Sequence, residues 1–376
     1  MTQLRSDPTG ATASPSDKYL LLAALVTQLL PSIGAVSFPA TGGLYNASIA
    51  TAQLVDHHPT YSDNLSLSSR PSTKLATFED EQYAQAGIPA GAFGLLTLQT
   101  CMPCPSSDSS RRVKGPKFPL ILFSPGLGNS RLLYGAMAQQ LSSTGYIVVT
   151  IDHPYDAGIV TFPNNTTVLA ANITTNAEII ADLNIRVRDV SFVLDQLYIP
   201  SVISRLILRR ICGLDTSKVG IYVYSLGGGT TAAEAMLSGP RLLGGVNLDG
   251  TFFGSVIDRG LDKPFILMAH EGKNLTTNVS WGALWPKLKG FKRRFMLRGS
   301  THGTFTDLAV AADLIGLREE FPAQTAAFLG SIDGGRAHQA IVTYTSRFFD
   351  FVLKGKKREL LDRSTMEFPE VTAGEN

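Results

Sequence analysis

The sequence predicts an α/β fold in which helices cover both faces of a mostly parallel central sheet. Between Phe118 and Gly299, short apolar runs alternate with longer helical patterns, as in strand-helix-strand units. Each run is rich in β-branched or aromatic residues and is bounded by Gly, Pro, Asp or Ser. The predicted central strands are 118–123, 146–151, 219–224, 245–248, 264–269 and 294–297.

Two long helices are predicted beside these strands. From Ile179 to Leu197, apolar residues recur every three or four positions and form one stripe. Arg186 and Asp189 lie mostly outside this stripe, so we expect them on a solvated face. A last helix covers about 341–352, with Gly355 as its C-terminal stop.

The chain is interpreted as one catalytic domain, residues 38–362, between a leader (1–37) and a tail (363–376) that is expected to be disordered. A hydrophobic content of 44% is ample for a core. Residues 38–117 are richer in Gly, Pro, Ser and Thr and are expected to add edge strands and loops. The segment 156–176 has few helical signals and indicates a loop-rich insertion over the sheet's C-terminal edge.

The leader contains an apolar run, Tyr19 to Leu30, that resembles the core of a signal peptide with cleavage near Ser37. This predicts secretion. The run is too short to span a bilayer, although an uncleaved anchor that includes 31–36 is an alternative. Because Asp7 and Asp17 make the leader less basic than usual, a buried first helix is the other alternative.

Glycosylation sequons agree with export, because Asn-x-Ser/Thr is the acceptor pattern of secretory proteins. We expect most of these asparagines on exposed loops. They are Asn46, Asn64, Asn164, Asn165, Asn172, Asn274 and Asn278.

Charge and cysteine content exclude other classes. A formal net charge of +2 from interspersed residues offers no basic face, so we expect no nucleic-acid partner. Cys101, Cys104 and Cys212 lack the further ligands of a structural zinc site, so no metal is expected. Any pairing among these three thiols stays open.

The most informative segment is Val219 to Gly229, VGIYVYSLGGG, a strand that leads into a serine and then a helix. In a nucleophile elbow, such a serine sits in a strained turn with its hydroxyl projecting from the sheet edge. Ser225 is therefore the candidate nucleophile and the fold is predicted to be an α/β-hydrolase. Val223 stands where the G-x-S-x-G pattern has Gly, which predicts altered packing or a wider elbow and lower activity.

An oxyanion hole needs two backbone N–H groups, one after the nucleophile and one after an earlier strand. Leu226 supplies the first. The second is assigned to Leu127, in the turn Ser124 to Gly128, SPGLG.

The base and the acid follow from chain order, which is serine, acid, histidine in this fold. His302 comes after the last predicted strand and is the candidate base. His270 ends a strand and is expected to be structural or to line the pocket. Asp249 and Glu271 each follow a suitable strand, and spacing alone does not choose between them as the acid.

Several segments resemble the platelet-activating factor acetylhydrolase family, especially its fungal members. They include FPLILFSPGLGNSRLLYGAMAQQL, GYIVVTIDHPYDAGIVTFP, VGIYVYSLGGGTTAAEAM, GGVNLDGTFFG and RFMLRGSTHGTFTDL, and the likeness covers about residues 38–355. In that family the acid lies at the position matched by Asp249, so the resemblance favours Asp249. At the two positions before the serine, where the family has Gly and His, this chain has Val223 and Tyr224. We expect this difference to affect rate and substrate more than fold.

The resemblance implies a serine esterase without a cofactor that acts on short-acyl or phospholipid-like esters. A lipid substrate would bring it into peripheral contact with lipid surfaces. Residues 152–155 and 281–285 are expected to line the site, or else simply to pack. Two other functions stay open: a hydrolase or cyclase that tailors a fungal secondary metabolite, and a non-catalytic binding protein.

Overall fold

The computed structural model describes residues 36–44, 47, 73–84, 88–98, 117–162, 164–206, 214–362 and 365–374. The apolar run of the leader, Asn46, Asn64 and the three cysteines lie outside these residues. The strands are β1 (Val36–Ser37), β2 (Leu96–Thr97), β3 (Phe118–Ser124), β4 (Ile147–Thr150), β5 (Ile159–Thr161), β6 (Thr167–Leu169), β7 (Leu214–Tyr224), β8 (Leu242–Leu248), β9 (Phe265–His270), β10 (Lys292–Leu297) and β11 (Val371–Ala373).

Helices separate most of the strands. They are α1 (Thr73–Tyr83), α2 (Ala92–Leu95), α3 (Gly135–Ser143), α4 (Asn176–Gln196), α5 (Pro200–Leu206), α6 (Ser225–Ser238), α7 (Val256–Arg259), α8 (Val279–Leu284), α9 (Leu308–Leu314), α10 (Leu317–Glu320), α11 (Pro322–Leu329), α12 (Gly334–Lys354) and α13 (Glu359–Asp362). Short 3-10 helices cover Arg131–Tyr134, Trp285–Lys287 and His302–Phe305. None of the helices in the described part of the chain combines the length and the apolar character that crossing a membrane requires.

The predicted parallel sheet is confirmed. In the described residues its strand order is β11-β10-β9-β8-β7-β3-β4, and only β11 is antiparallel to its neighbour. The chain runs outward from β3 to β4 and then returns to β7 on the other side of β3. This reversal creates a crevice at the carboxyl ends of β3 and β7, the usual ligand-binding position in such sheets.

Both faces of the sheet are covered, which explains why the central strands are continuously apolar. On β7, Tyr222 and Tyr224 pack on the face that carries α3, α9 and α12, whereas Ile221 and Val223 pack on the face that carries α4 and α6. Alternate residues of one strand therefore enter two separate cores. The two long helices predicted from apolar periodicity are α4 and α12, and Gly355 caps α12 with a φ of 66°.

Two expectations about the ends of the domain need correction. The tail is not disordered in its described part, because Val371–Ala373 pairs with β10 and Phe368 is fully buried. Upstream, the described residues between 38 and 117 form the helices α1 and α2 and the strand β2, which pairs in parallel with β1 at Val36–Ser37 rather than with the central sheet. The segment 156–176 contains the hairpin β5-β6, whose base joins the turn after β3 through the Gly128–Ala157 bridge.

Candidate active site

The nucleophile elbow forms at the junction of β7 and α6. Ser225 follows the last strand residue directly and has a φ of 60°, a left-handed conformation that costs free energy in a non-glycine residue. Val223 is fully buried in the core on the α4 and α6 face. The turn therefore accommodates a β-branched residue two positions before the serine.

A continuous hydrogen-bonded chain links Ser225 to His302 and Asp249. Ser225 Oγ lies 2.7 Å from His302 Nε2, and His302 Nδ1 lies 2.5 Å from Asp249 Oδ2. Asp249 follows β8 and His302 follows β10, so parallel strands bring both to the edge where Ser225 lies. Since a carboxylate only accepts, Nδ1 carries the proton and Nε2 can accept the serine proton.

Asp249 is almost fully buried and receives further donors. The His270 backbone N–H and Nδ1 lie 3.1 and 2.7 Å from its two carboxylate oxygens, and Lys273 Nζ lies 3.3 Å from Oδ1. Burial raises the pKa of Asp249, but the hydrogen bonds from His270 and His302 and the Lys273 charge outweigh it. The net result is a pKa well below the usual range, so this carboxyl stays ionised at neutral pH.

The other candidate acid, Glu271, does not contact the imidazole in this arrangement. Its Oε2 accepts a hydrogen bond of 3.0 Å from the backbone N–H of Gly299, and the residue is exposed. Of the two carboxylates that chain order left open, the structure places Asp249 against His302. His270 both bonds Asp249 and lines the pocket.

Tyr224 contacts the base from the strand side. Its ring stacks on that of His302 with centroids 4.8 Å apart, and its hydroxyl donates a 3.0 Å hydrogen bond to the His302 carbonyl oxygen. Burial raises the pKa of Tyr224 well above its ordinary value, so it remains a donor. The residue that departs from the family pattern thus holds the loop of the candidate base.

The turn after β3 lies close to the serine. A Cβ built on Gly126 would lie 3.0 Å from Ser225 Cβ and 3.0 Å from the Tyr224 ring, so only glycine fits without a shift. The N–H of Gly128 and that of Asn129 bond Asp156 Oδ1 and the Gly126 carbonyl, respectively. Leu127 lies between these anchored positions, and Leu226 lies in the first turn of α6.

The expectation that Arg186 and Asp189 lie on a solvated face is wrong. Their exposed fractions are 1% and 6%, because α4 turns both side chains inward toward β3 and the segment after β4. Apolar periodicity gave no sign of this, since a buried charge at the border of an apolar stripe looks like a surface charge. Asp152 and His153 are buried as well, whereas Tyr155 is exposed with a φ of 67°.

An open cavity of about 420 Å³ lies at the serine. Its lining residues are mostly polar in type, although carbon atoms form more of the exposed wall than polar atoms do. Trp281 and Trp285 are not among the lining residues: both are buried, and Trp281 Nε1 donates to the Gly250 carbonyl oxygen. The tryptophans therefore pack the core. The lining residues are Ser225, Asp249, Thr251, His270, Gly272, Lys273, Thr277, Asn278 and His302.

Three potential metal ligands meet in this cavity, with ligand atoms of Asp249, His270 and His302 all within 4.8 Å of one another. Both imidazole Nδ1 atoms donate to Asp249, and the Lys273 ammonium lies 3.3 Å from its other oxygen. The hydrogen bonds to Asp249 and the Lys273 ammonium therefore explain why these side chains lie together.

Comparison with known proteins points to esterases. The family model for platelet-activating factor acetylhydrolase, isoform II, matches residues 88–191. A protein of Arthroderma benhamiae named probable 1-alkyl-2-acetylglycerophosphocholine esterase is 31% identical over 269 residues, which are 67% of this chain and 65% of that protein. The chain thus aligns with slightly less than two thirds of this relative. The platelet-activating factor acetylhydrolase of Bos taurus is 24% identical over 57% of this chain and 54% of its own length.

A solved structure gives the same picture for the fold. The ferulic acid esterase of Streptomyces cinnamoneus superimposes with a TM-score of 0.63 and 28% identity, and the match covers 82% of this chain and 86% of the esterase. The predicted α/β-hydrolase fold is confirmed.

Proposed function

The chain belongs to the platelet-activating factor acetylhydrolase-like family of α/β-hydrolases, and on this premise we propose that it is a serine esterase. The observation that carries the proposal is the unbroken chain from Ser225 through His302 to the buried, ionised Asp249. Ser225 is the nucleophile, His302 the general base and Asp249 the acid that orients the imidazole.

The reaction proceeds in two acyl transfers. His302 Nε2 takes the Ser225 proton as Oγ attacks the ester carbonyl, and the backbone N–H groups of Leu127 and Leu226 stabilise the oxyanion. The intermediate collapses, His302 returns the proton to the departing alcohol, and Ser225 keeps the acyl group. Water, deprotonated by the same imidazole, then releases the carboxylic acid and restores the serine.

The substrate is proposed to be a short-acyl or phospholipid-like ester. The relatives are named as a probable 1-alkyl-2-acetylglycerophosphocholine esterase and a platelet-activating factor acetylhydrolase, and the polar side chains at the cavity agree with a substrate that carries a polar group beside its ester. Thr251, Thr277 and Asn278 offer hydrogen bonds, and Lys273 offers a positive charge. Such a substrate would place the enzyme at a lipid surface.

Hydrolysis of p-nitrophenyl esters from acetate to long-chain acyl groups, by the wild-type chain and by Ser225→Ala, tests the proposal. We expect turnover that is fastest on short chains and is lost in the variant. Equal, negligible rates in both would contradict it and favour a biosynthetic or non-catalytic function on the same fold.

Export through the secretory pathway is also proposed, from the apolar run of the leader and the sequons. Asn164, Asn165 and Asn172 are exposed near the hairpin β5-β6, as an acceptor must be. Asn278 instead caps α8 and lines the cavity, and its side-chain nitrogen donates to Thr251. Glycopeptide mapping of protein from a eukaryotic host should find glycans on the exposed sites and none on Asn278; unmodified protein would count against export.

A further inference from the structure

A second Ser–His–Asp chain lies inside the molecule. Ser124 Oγ is 2.9 Å from His153 Nε2, and His153 Nδ1 is 2.6 Å from Asp189 Oδ2. The exposed fractions of these residues are 0%, 2% and 6%, so no substrate reaches Ser124. Because Asp189 can only accept, His153 carries its proton on Nδ1 and accepts from the Ser124 hydroxyl. Its hydrogen bonds run in the same direction as those from Ser225 through His302 to Asp249, but a substrate cannot reach the buried serine.

This buried chain is attached to the turn that is assigned the oxyanion donor. Ser124 is the last residue of β3 and immediately precedes Pro125. Arg186 Nη1 donates to the Pro125 carbonyl oxygen at 2.6 Å and to Ser124 Oγ at 3.3 Å. The Arg186 guanidinium therefore holds the beginning of the turn, with the Ser124 hydroxyl as one of its acceptors.

The same guanidinium also fixes the end of the turn. Arg186 Nε bonds Asp156 Oδ2, and Nη2 lies 2.5 Å from Oδ1 of the same carboxylate. Asp156 Oδ1 in turn accepts the Gly128 N–H at 3.3 Å, and the Gly128 carbonyl accepts the Gly158 N–H at 2.9 Å. Both ends of the segment 125–128 are thus anchored to one fully buried cation.

Anchoring matters here because an oxyanion donor works only within a few tenths of an ångström of its place. A Cβ added to Gly126 would lie 3.0 Å from Ser225 Cβ, so the turn has no room for a side chain on that side. Burying Arg186, Asp156 and Asp189 is costly even when they are paired, and apolar residues of the same volume would often serve stability as well. A requirement for exact placement explains why polar groups are used instead.

We propose that Arg186, His153 and Asp189 are positioning residues that hold the 125–128 turn so that the Leu127 N–H meets the oxyanion of the transition state. The inference deepens the proposed esterase function and rests on it. None of the three touches the substrate, and their effect is on the transition state rather than on substrate binding.

Asp189→Asn tests this, because the side-chain shape is kept while the acceptor that fixes the His153 tautomer is weakened. We expect kcat for a short-acyl ester to fall roughly 10- to 100-fold, with KM changed less than about twofold. Affinity for an alkyl boronic acid, which forms a tetrahedral adduct on the serine, should fall by the same factor as kcat/KM. Unchanged boronate affinity would overturn the proposal, whatever happens to stability.

Asp350→Asn is the matched control. Asp350 is also a buried carboxylate, which accepts from the Tyr146 hydroxyl at 2.7 Å, but it packs near the start of β4, far along the chain from the turn. We expect it to lower the melting temperature while kcat and boronate affinity stay at the wild-type values. Equal losses of boronate affinity in both variants would show a general loss of order and contradict a specific role.

If Asp189→Asn fails to fold, Ser124→Ala removes only one hydroxyl and leaves every charge in place. A severalfold loss of kcat with a matching loss of boronate affinity is expected, and no change would refute the proposal. Amide hydrogen exchange of residues 126–130 separates this inference from the proposed function, since it needs no activity. If exchange is not faster in either variant, the buried hydrogen bonds of Ser124, His153 and Asp189 do not order the turn and this inference is wrong, whether or not the protein is an esterase.

Discussion

The role of Asp249 is open to a sharp test with Asp249→Asn. The backbone N–H of His270 faces Oδ1 at 3.1 Å, and Lys273 lies 3.3 Å from the same oxygen. Both groups can only donate, so an asparagine places its carbonyl oxygen there and its NH₂ at the Oδ2 position. That NH₂ would then face His302 Nδ1 at a separation of 2.5 Å in the native chain. The imidazole must shift its proton to Nε2, and Ser225 loses its base.

The expected loss in kcat is about 10⁴-fold, or roughly 5 kcal/mol of transition-state stabilisation. The assay is steady-state hydrolysis of a short-chain p-nitrophenyl ester, with the melting temperature measured alongside. Glu271→Gln is the matched control, because its amide oxygen can still accept the Gly299 N–H, and its rate should stay within about twofold of wild type. The reasoning is refuted if Asp249→Asn keeps most of its activity, or if Glu271→Gln is the variant that loses it.

Three further predictions concern residues around the site. Val223→Gly should lower the free energy of unfolding by about 2–4 kcal/mol without raising kcat, because the side chain is fully buried; a faster enzyme in the ester assay would show that Val223 limits the elbow. Tyr224→Phe should cost about 1 kcal/mol in chemical denaturation and lower kcat severalfold, because the 3.0 Å hydrogen bond to the His302 carbonyl is lost while the ring stack remains; an unchanged kcat would mean that this bond does not place the base. Burial raises the pKa of Asp307 to about 8, so the native state binds more protons than the unfolded chain between pH 4 and 8, and this carboxyl's stabilisation is lost as the pH rises. Relative to Asp307→Asn, the wild type should therefore lose stability over that range, by at most about 1.4 kcal/mol per pH unit; denaturation curves that keep a constant offset would contradict this.

Much of the sheet and of the reacting groups could be predicted from the sequence because both depend on local pattern. Apolar runs bounded by turn residues located the central strands, and a serine between a strand and a glycine-rich helix located the elbow. Local sequence does not decide whether Asp249 or Glu271 is the acid. Both follow strands that end at the same edge, and only the direction of each side chain, set by packing, brings one to His302 and the other to the Gly299 N–H.

The burial of several polar residues could not be predicted from the sequence, and the reason is physical. Arg186 and Asp189 lie on α4 at positions that periodicity assigns to its polar face, and their partners Asp156, His153 and Ser124 come from distant parts of the chain. A charged residue whose bonding partners are distant in the sequence leaves no pattern in the residues around it. The edge strand β11 was missed similarly, because its pairing with β10 and the burial of Phe368 depend on the finished domain.

Formation of an acyl-enzyme on Ser225 tests the central claim most directly. The protein is mixed with p-nitrophenyl acetate, quenched in acid within the first turnover, and digested for mass spectrometry. The account predicts one acetyl group on the peptide that contains Ser225, formed as fast as p-nitrophenol is released and absent in Ser225→Ala. Continued release of p-nitrophenol with no acetyl group on that peptide, or with the label on another residue, would contradict it.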